Sequence, residues 1–426
     1  MELRNYMLTK KESIRDLRVE DRVAEVKENK NFILSIIGPR RAGKTYFIYN
    51  LIRKRKIKDE EFVFINFEEP VEVRELDEVI TGHYEIYGRE PVYIFLDEVQ
   101  SFSNWEKHVY SLYERKRYYI FITGSSSKLL SKEISTQLRG RAVPLYVFPF
   151  SFTEVLKING LELKKYYSSY ELAKIRHILS SCLKRGFFPD VVLGNIDPFE
   201  FFREYLDLVM YKDIIERFGV RNRYALELFL KSCISSNTSL FSVHKVFNSL
   251  KSQGVKISKK TLYAFQRIVE DVGFGFFLKK FEWSRRKIEL SIPKFYLVDN
   301  AIYTYVERED VGRLLENVVF LELIKNGLIP NEDFFYWRNT KGNEVDFVIR
   351  RGPHIEKLVQ VTYASGRDDV NKEEINPLIK ASTELRCNDL LVITWNYEDE
   401  LKLENRKIRL LPLWKWLTEI THIKQR

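Results

Sequence analysis

The chain is poor in cysteine, in long apolar runs and in any strong excess of one charge sign, and each shortage removes a class of protein. Three cysteines in 426 residues, Cys182, Cys233 and Cys387, are too few, too far apart and odd in number for a disulfide framework or a zinc site. A reducing, cytoplasmic setting is expected. No apolar run approaches the roughly 20 residues needed to cross a bilayer, and Met1–Lys30 is too charged for a signal peptide. No membrane partner is expected. Seventy Lys plus Arg against sixty Asp plus Glu leave a net charge of +10 and a pI near 9.1. That balance permits an acidic partner without demanding one, and a solvated, charge-rich surface gives the same number. The 31% charged fraction, much of it Lys and Glu, fits a heat-adapted source. At this length about three domains are expected.

What the chain does have begins at Asn31–Asn50, NFILSIIGPRRAGKTYFIYN. Phe32–Ile37 reads as a buried strand, Gly38–Thr45 spells GxxxxGK[ST], and Tyr46–Ile52 reads as a helix. This order builds a phosphate cradle. Gly38 and Gly43 let the backbone curl so that amides point at one anion, and the helix adds its positive end. Pro39, Arg40, Arg41 and Ala42 complete the loop, and Tyr46 follows it. Lys44 is expected to reach the β- and γ-phosphates of ATP and Thr45 to hold Mg2+.

A second strand, Glu61–Phe67, ends in polar residues. A third, in Pro91–Glu98 (PVYIFLDE), runs straight into two carboxylates. In a phosphate-loop protein this places Asp97 at the Mg2+ shell and Glu98 where it can polarise a water; otherwise such a pair serves a turn or a helix cap. Tyr118–Thr123 delivers Thr123 and Ser125 to the same edge, either as sensors of the γ-phosphate or as an ordinary helix start. Arg139 and Arg141, in Leu138–Ala142, are candidates for an arginine finger reaching a neighbouring subunit, or plain surface residues.

The stretches GPRRAGKT, FINFEEP, YIFLDEVQ, FITGSSS, LRGR and VFPFSFTEVL occur in that order. Together they resemble AAA+ related ATPases of archaea and bacteria that carry an uncharacterised C-terminal domain. The resemblance covers about Asn31 to Leu156 and extends more weakly beyond. It implies an α/β sheet, ATP hydrolysis and often a homo-oligomer, with the family's functional residues falling on Lys44, Thr45, Asp97 and Glu98. It does not say what hydrolysis drives.

Residues 151–219 show helical spacing and would form a lid. Compact helices follow at Tyr224–Cys233, Ser239–Ser252 and Ser258–Val272, then extended pieces at Phe274–Trp283 and Ile288–Val298 around Ser284–Lys287. That order is a winged helix. Ser258–Val272, with Lys259, Lys260, Tyr263 and Arg267, would read a nucleic-acid groove, and Arg285–Lys287 would turn the wing. Many such modules bind only protein.

The last third places Glu316 on a helix, Asp346 on a strand and Gln360-Val361-Thr362 on the next. This set resembles the metal-binding core of PD-(D/E)xK nucleases, which implies a second metal site at Glu316, Asp346 and Gln360. Thr362 stands where the catalytic Lys belongs. Lys341 or Lys357 could substitute, or the carboxylates could simply be satisfied polar groups.

The expected fold class is α/β: a parallel-sheet phosphate-loop ATPase domain over residues 1–156, a helical lid over 157–220, a winged-helix-like domain over 221–300 and a nuclease-like α/β domain over 301–426. The expected function is an ATP-driven, Mg2+-dependent switch or motor acting on nucleic acid. An ATP-dependent nuclease and an ATP-controlled protein-interaction switch are the alternatives.

Overall fold

The computed structural model describes residues 2–23, 26, 29–124, 138, 140–370 and 372–420. The chain divides into two compact units, Met1–Pro149 with Asp271–Gly273, and Phe150–Glu270 with Phe274–Arg426.

The first unit is built on five parallel strands, β1 (Ile33–Ile37), β2 (Phe62–Asn66), β3 (Tyr93–Asp97), β4 (Tyr119–Gly124) and β5 (Ala142–Tyr146), in the order β2-β3-β4-β1-β5. Period-2 alternation sorts their side chains between two faces. Val63, Ile65, Ile94, Leu96, Ile120 and Ile122 pack under α1 (Leu3–Asp16), α3 (Leu76–Tyr87) and α4 (Trp105–Glu114). Phe62, Phe64, Phe95 and Phe121 line the other face with Phe47 and Ile48 of α2 (Lys44–Lys54). β-branched and aromatic residues suit such a doubly covered sheet, and each fully buried side chain contributes about 2 kcal/mol. Because all five strands run the same way, the residues that follow them meet at one carboxyl edge.

The second unit opens with α5 (Phe152–Ile158), α6 (Ser169–Arg185) and α7 (Pro198–Leu208), which continues as a π-helical stretch over Val209–Glu216. Then come α8 (Arg223–Ser235), α9 (Val243–Ser252) and α10 (Lys259–Asp271). A small antiparallel sheet, order β6-β8-β7, joins β6 (Ser239–Leu240), β7 (Gly275–Leu278) and β8 (Lys294–Leu297). The segment expected to be a wing turn is a helix instead, α11 (Arg285–Leu290). Buried Ile288 anchors it, while Arg285, Arg286 and Lys287, all compatible with helix, stay exposed. Leu240, expected on a helix face, pairs in β6.

Two further helices, α12 (Asn300–Val306) and α13 (Val311–Lys325), lead to a six-stranded mixed sheet. Its strands are β9 (Phe334–Arg338), β10 (Glu344–Arg351), β11 (His354–Val361), β12 (Leu390–Thr394), β13 (Asp399–Leu403) and β14 (Arg406–Pro412), ordered β13-β14-β12-β11-β10-β9. Strands β9 to β11 form an antiparallel meander, whereas β11, β12 and β14 run parallel. Helices α14 (Lys372–Leu385) and α15 (Leu413–Glu419), the latter following Pro412 at the end of β14, complete the unit. No helix among the described residues is long and apolar enough to cross a membrane.

Candidate functional site

The carboxyl edge of the first sheet gathers three segments. β1 delivers the loop Gly38–Gly43, β3 delivers Asp97 and Glu98, and β4, which pairs with both, delivers Thr123. Two glycines shape the loop. A Cβ on Gly38 would lie 1.9 Å from the carbonyl oxygen of Val147, and Gly43, with φ 89°, sits left-handed directly before α2. Arg41 is also left-handed, at φ 61°. Behind the loop, the Arg22 guanidinium donates to the carbonyls of Ala42 (3.2 Å) and Phe148 (2.6 Å) and ties the N-terminal segment to it.

Lys44 opens α2 and is buried, its Nζ donating to the carbonyls of Gly38 (3.2 Å) and Pro39 (3.1 Å). Thr45 Oγ1 donates to Asp97 Oδ2 at 2.8 Å, and Thr123 Oγ1 donates to Asp97 Oδ1. The Thr123 hydroxyl also accepts the Glu98 amide at 3.0 Å. Asp97 is fully buried, and desolvation, reinforced by the Glu98 charge, raises its carboxyl to about 6 against the pull of Thr123, Thr45 and Lys44. Glu98 takes a left-handed backbone, φ 52°, and its carboxylate accepts from the Gln100 amide. An acidic residue in that conformation stores strain of order 1–3 kcal/mol, the kind of outlier found at functional positions.

These residues fit a nucleoside triphosphate with a divalent cation. The cradle is too tight for any side chain at Gly38, an ammonium lies against the loop carbonyls, and a hydroxyl and a carboxylate already touch where the cation's oxygen ligands belong. Tyr46 is half exposed beside the loop. Arg141 lies at the start of β5, its carbonyl accepting the Ile33 amide at 2.8 Å, and its side chain is exposed at the opposite edge of the sheet. That is roughly 15 Å from the loop at about 3.3 Å per strand residue. From there the side chain is too distant to touch the loop of its own chain. Ser125 and Arg139 lie outside the described residues.

In the second unit, Glu316 of α13 and Asp346 of β10 do come together, but around a lysine. Lys294 of β8 is 2% exposed, and its Nζ lies 2.6 Å from Glu316, 2.9 Å from Glu344 and 3.3 Å from Asp346. Glu316 also accepts the Tyr296 hydroxyl at 2.7 Å, and Asp346 the Val361 amide at 2.9 Å. Burial first, then the neighbouring Asp346 charge, pushes Glu316 up to about 8; burial likewise raises Asp346. Gln360 turns elsewhere, its Oε1 accepting the Asp346 amide at 3.4 Å and its Nε2 reaching Glu374 at 3.5 Å. Lys357 pairs with Asp389, and Lys341 is exposed. Among the described residues no three Asp, Glu, His or Cys side chains are arranged to hold a metal ion. Sequence reasoning missed Lys294 and Glu344. The available signal was one charge opening the apolar strand Lys294–Leu297.

A family model described as an AAA domain matches residues 30–156, and two models of domains of unknown function, DUF8612 and DUF4143, match 176–311 and 311–416. An uncharacterized protein of Methanocaldococcus jannaschii is 37% identical over 414 residues, 94% of this chain and 91% of that protein. One from Haemophilus influenzae is 25% identical over 407 residues, 91% of this chain and 95% of that protein. Among solved structures, AMPPCP-bound DnaA from Aquifex aeolicus is 14% identical, covering 61% of this chain and 85% of that one at a TM-score of 0.27. The Aeropyrum pernix ORC1 protein in complex with DNA is 11% identical, covering 70% and 88% at 0.29. With its AAA-type phosphate-loop domain, the chain belongs to the same family as the Methanocaldococcus jannaschii protein.

Proposed function

We propose that the chain is an ATP hydrolase whose first unit switches how the second holds nucleic acid. The observation that carries this reading is the linked set Thr45, Asp97, Thr123 and Glu98 beside the Lys44 loop. In it, Lys44 Nζ exchanges the carbonyls of Gly38 and Pro39 for β- and γ-phosphate oxygens, and the loop amides and the start of α2 receive the rest of the charge. Thr45 and Asp97 would hold magnesium, which when bound would supply positive charge at the transferring phosphate. Glu98 orients the attacking water. Thr123, bonded to Asp97 and to the Glu98 backbone, couples the state of the site to β4. Arg141 acts on the nucleotide of a neighbouring copy in a homo-oligomer.

The nucleic-acid half rests on α10 and α11. Lys259, Lys260, Tyr263 and Arg267 are exposed on α10, opposite buried Leu262, Phe265 and Val269, and Arg285–Lys287 add a second basic patch. In this reading residues 221–300 act as a winged-helix-like reader and 301–426 as a nuclease-like scaffold that binds without cutting. Exposed Trp283, Leu290 and Ile292 beside α11 favour a second reading, docking of a partner protein. The test is ATP turnover by wild-type, Lys44→Ala and Glu98→Gln chains, each with and without single-stranded, duplex and branched nucleic acid. Stimulated turnover in wild type, no nucleotide binding in Lys44→Ala and binding without turnover in Glu98→Gln are expected. Unchanged turnover in either variant overturns the site, and no stimulation by any nucleic acid favours the protein partner.

A further inference from the structure

Lys294 stands at the meeting point of three carboxylates from two other elements, Glu316 on α13 and Glu344 and Asp346 on β10. Glu316 and Asp346 are each braced. Glu316 takes the hydroxyl of Tyr296, whose ring stacks on Phe320 at 4.0 Å, and Asp346 takes the amide of Val361 in β11. The pairing of β10 with β9 slips between Val345 and Val348, so Asp346 sits in an irregularity of the kind that re-aims a side chain. Arg338, 3.7 Å from Glu344, is the only other cation paired with the trio among the described residues. Oxygen donors converging from a helix and a strand suit a divalent ion, yet an ammonium fills the centre. Its 2.6–3.3 Å contacts are hydrogen-bond lengths, wider than the roughly 2.1 Å of a Mg2+ ligand.

We propose that Lys294 is a built-in counter-ion that occupies the cation position of the C-terminal carboxylate cluster, closing it to metal and clamping β8 onto α13 and β10. The resemblance to nucleases raises the expectation of a metal there, and the residues as arranged do not fit one. The lysine that could not be found in the nuclease position on β11 is supplied by β8. It arrives as a substitute for the ion, held by all three acids. Buried carboxylates need a partner, and a covalently tethered cation provides one without metal supply. This role does not depend on ATP turnover in the first unit, since every chain compared below keeps the same phosphate loop.

The test counts Mn2+ bound per chain, without nucleotide, by the electron paramagnetic resonance signal of the free ion, in wild-type, Asp346→Asn, Lys294→Ala and Lys294→Ala/Asp346→Asn chains. The single variant is expected to bind one Mn2+ more than wild type, at least tenfold tighter than any site the double variant retains. The proposal is overturned by a folded Lys294→Ala chain that gains no ion, or by a wild-type Mn2+ site that disappears in Asp346→Asn. If Lys294→Ala fails to fold, Lys294→Met/Glu316→Gln/Asp346→Asn is expected to fold, because cation and charge are removed together. A triple variant that stays unfolded would overturn the counter-ion role, because charge balance would then not be what the lysine supplies.

Discussion

At the scale of single residues, the first unit isolates ionisable groups in apolar surroundings. Asp97 is tolerated because two hydroxyls and an ammonium surround it. His83 on α3 is different. It is fully buried, its Nδ1 donates to the Arg89 carbonyl at 2.9 Å, and its ring lies 4.9 Å from that of Tyr87. Burial first, then the positive charge of Lys11, lowers it from 6.5 to about 4. The unfolded chain therefore takes up a proton near pH 6.5 while the folded chain refuses it until about pH 4. Stability from neutral His83 is complete above pH 6.5 and is lost as the pH falls through 4, with a ceiling of about 3 kcal/mol. Lys11, itself lowered to about 7, is mostly protonated at pH 6.5 and gains the rest of its charge as the pH falls, so its repulsion of a protonated His83 persists across the window. His83→Gln should flatten the fall in melting temperature between pH 6.5 and 4.5. An acid limb unchanged in that variant would exclude His83 as its source.

At the scale of elements, α10 carries the nucleic-acid half of the proposal. Its buried stripe fixes its orientation and leaves Lys260, Tyr263 and Arg267 on the outer face. Reversing two of these charges, Lys260→Glu with Arg267→Glu, should weaken duplex binding by about 10–100-fold and reduce the slope of log affinity against log salt by about 2. A titration in which both affinity and slope stay at wild-type values would remove α10 from the interface. Elements of this kind were readable beforehand because helical periodicity survives on one strongly apolar face. The loop at Gly38 was readable for another reason: contact with Val147 leaves room for no side chain, so the requirement is written as a glycine. Segment 284–291 was not readable. It holds one buried apolar residue, Ile288, which fits a turn and a helix equally well until the fold places it. Lys294 escaped because a buried lysine depends on Glu316, Glu344 and Asp346, all at least 22 residues away and none of them part of its local pattern.

At the scale of the whole molecule, the proposal of an arginine shared between copies turns on which end of the sheet carries Arg141. The loop, the Asp97 and Glu98 pair and Thr123 share one edge of the sheet, whereas Arg141 is exposed at the other. Charge building on the γ-phosphate during transfer would therefore meet Arg141 only if a second copy brought its Arg141 edge against the loop. Such a residue contributes about 10³–10⁵ in rate when supplied from another chain. Arg141→Ala should thus bind ATP normally but turn it over at least a hundredfold more slowly. Glu98→Gln, inactive in its own site, keeps its arginine. Mixing the two should restore turnover that neither has alone, because a Glu98→Gln subunit lends Arg141 to an Arg141→Ala neighbour whose acid and water are intact. Turnover by the mixture that only sums the separate activities would place the missing cation within one chain, and full activity in Arg141→Ala alone would assign it to another residue.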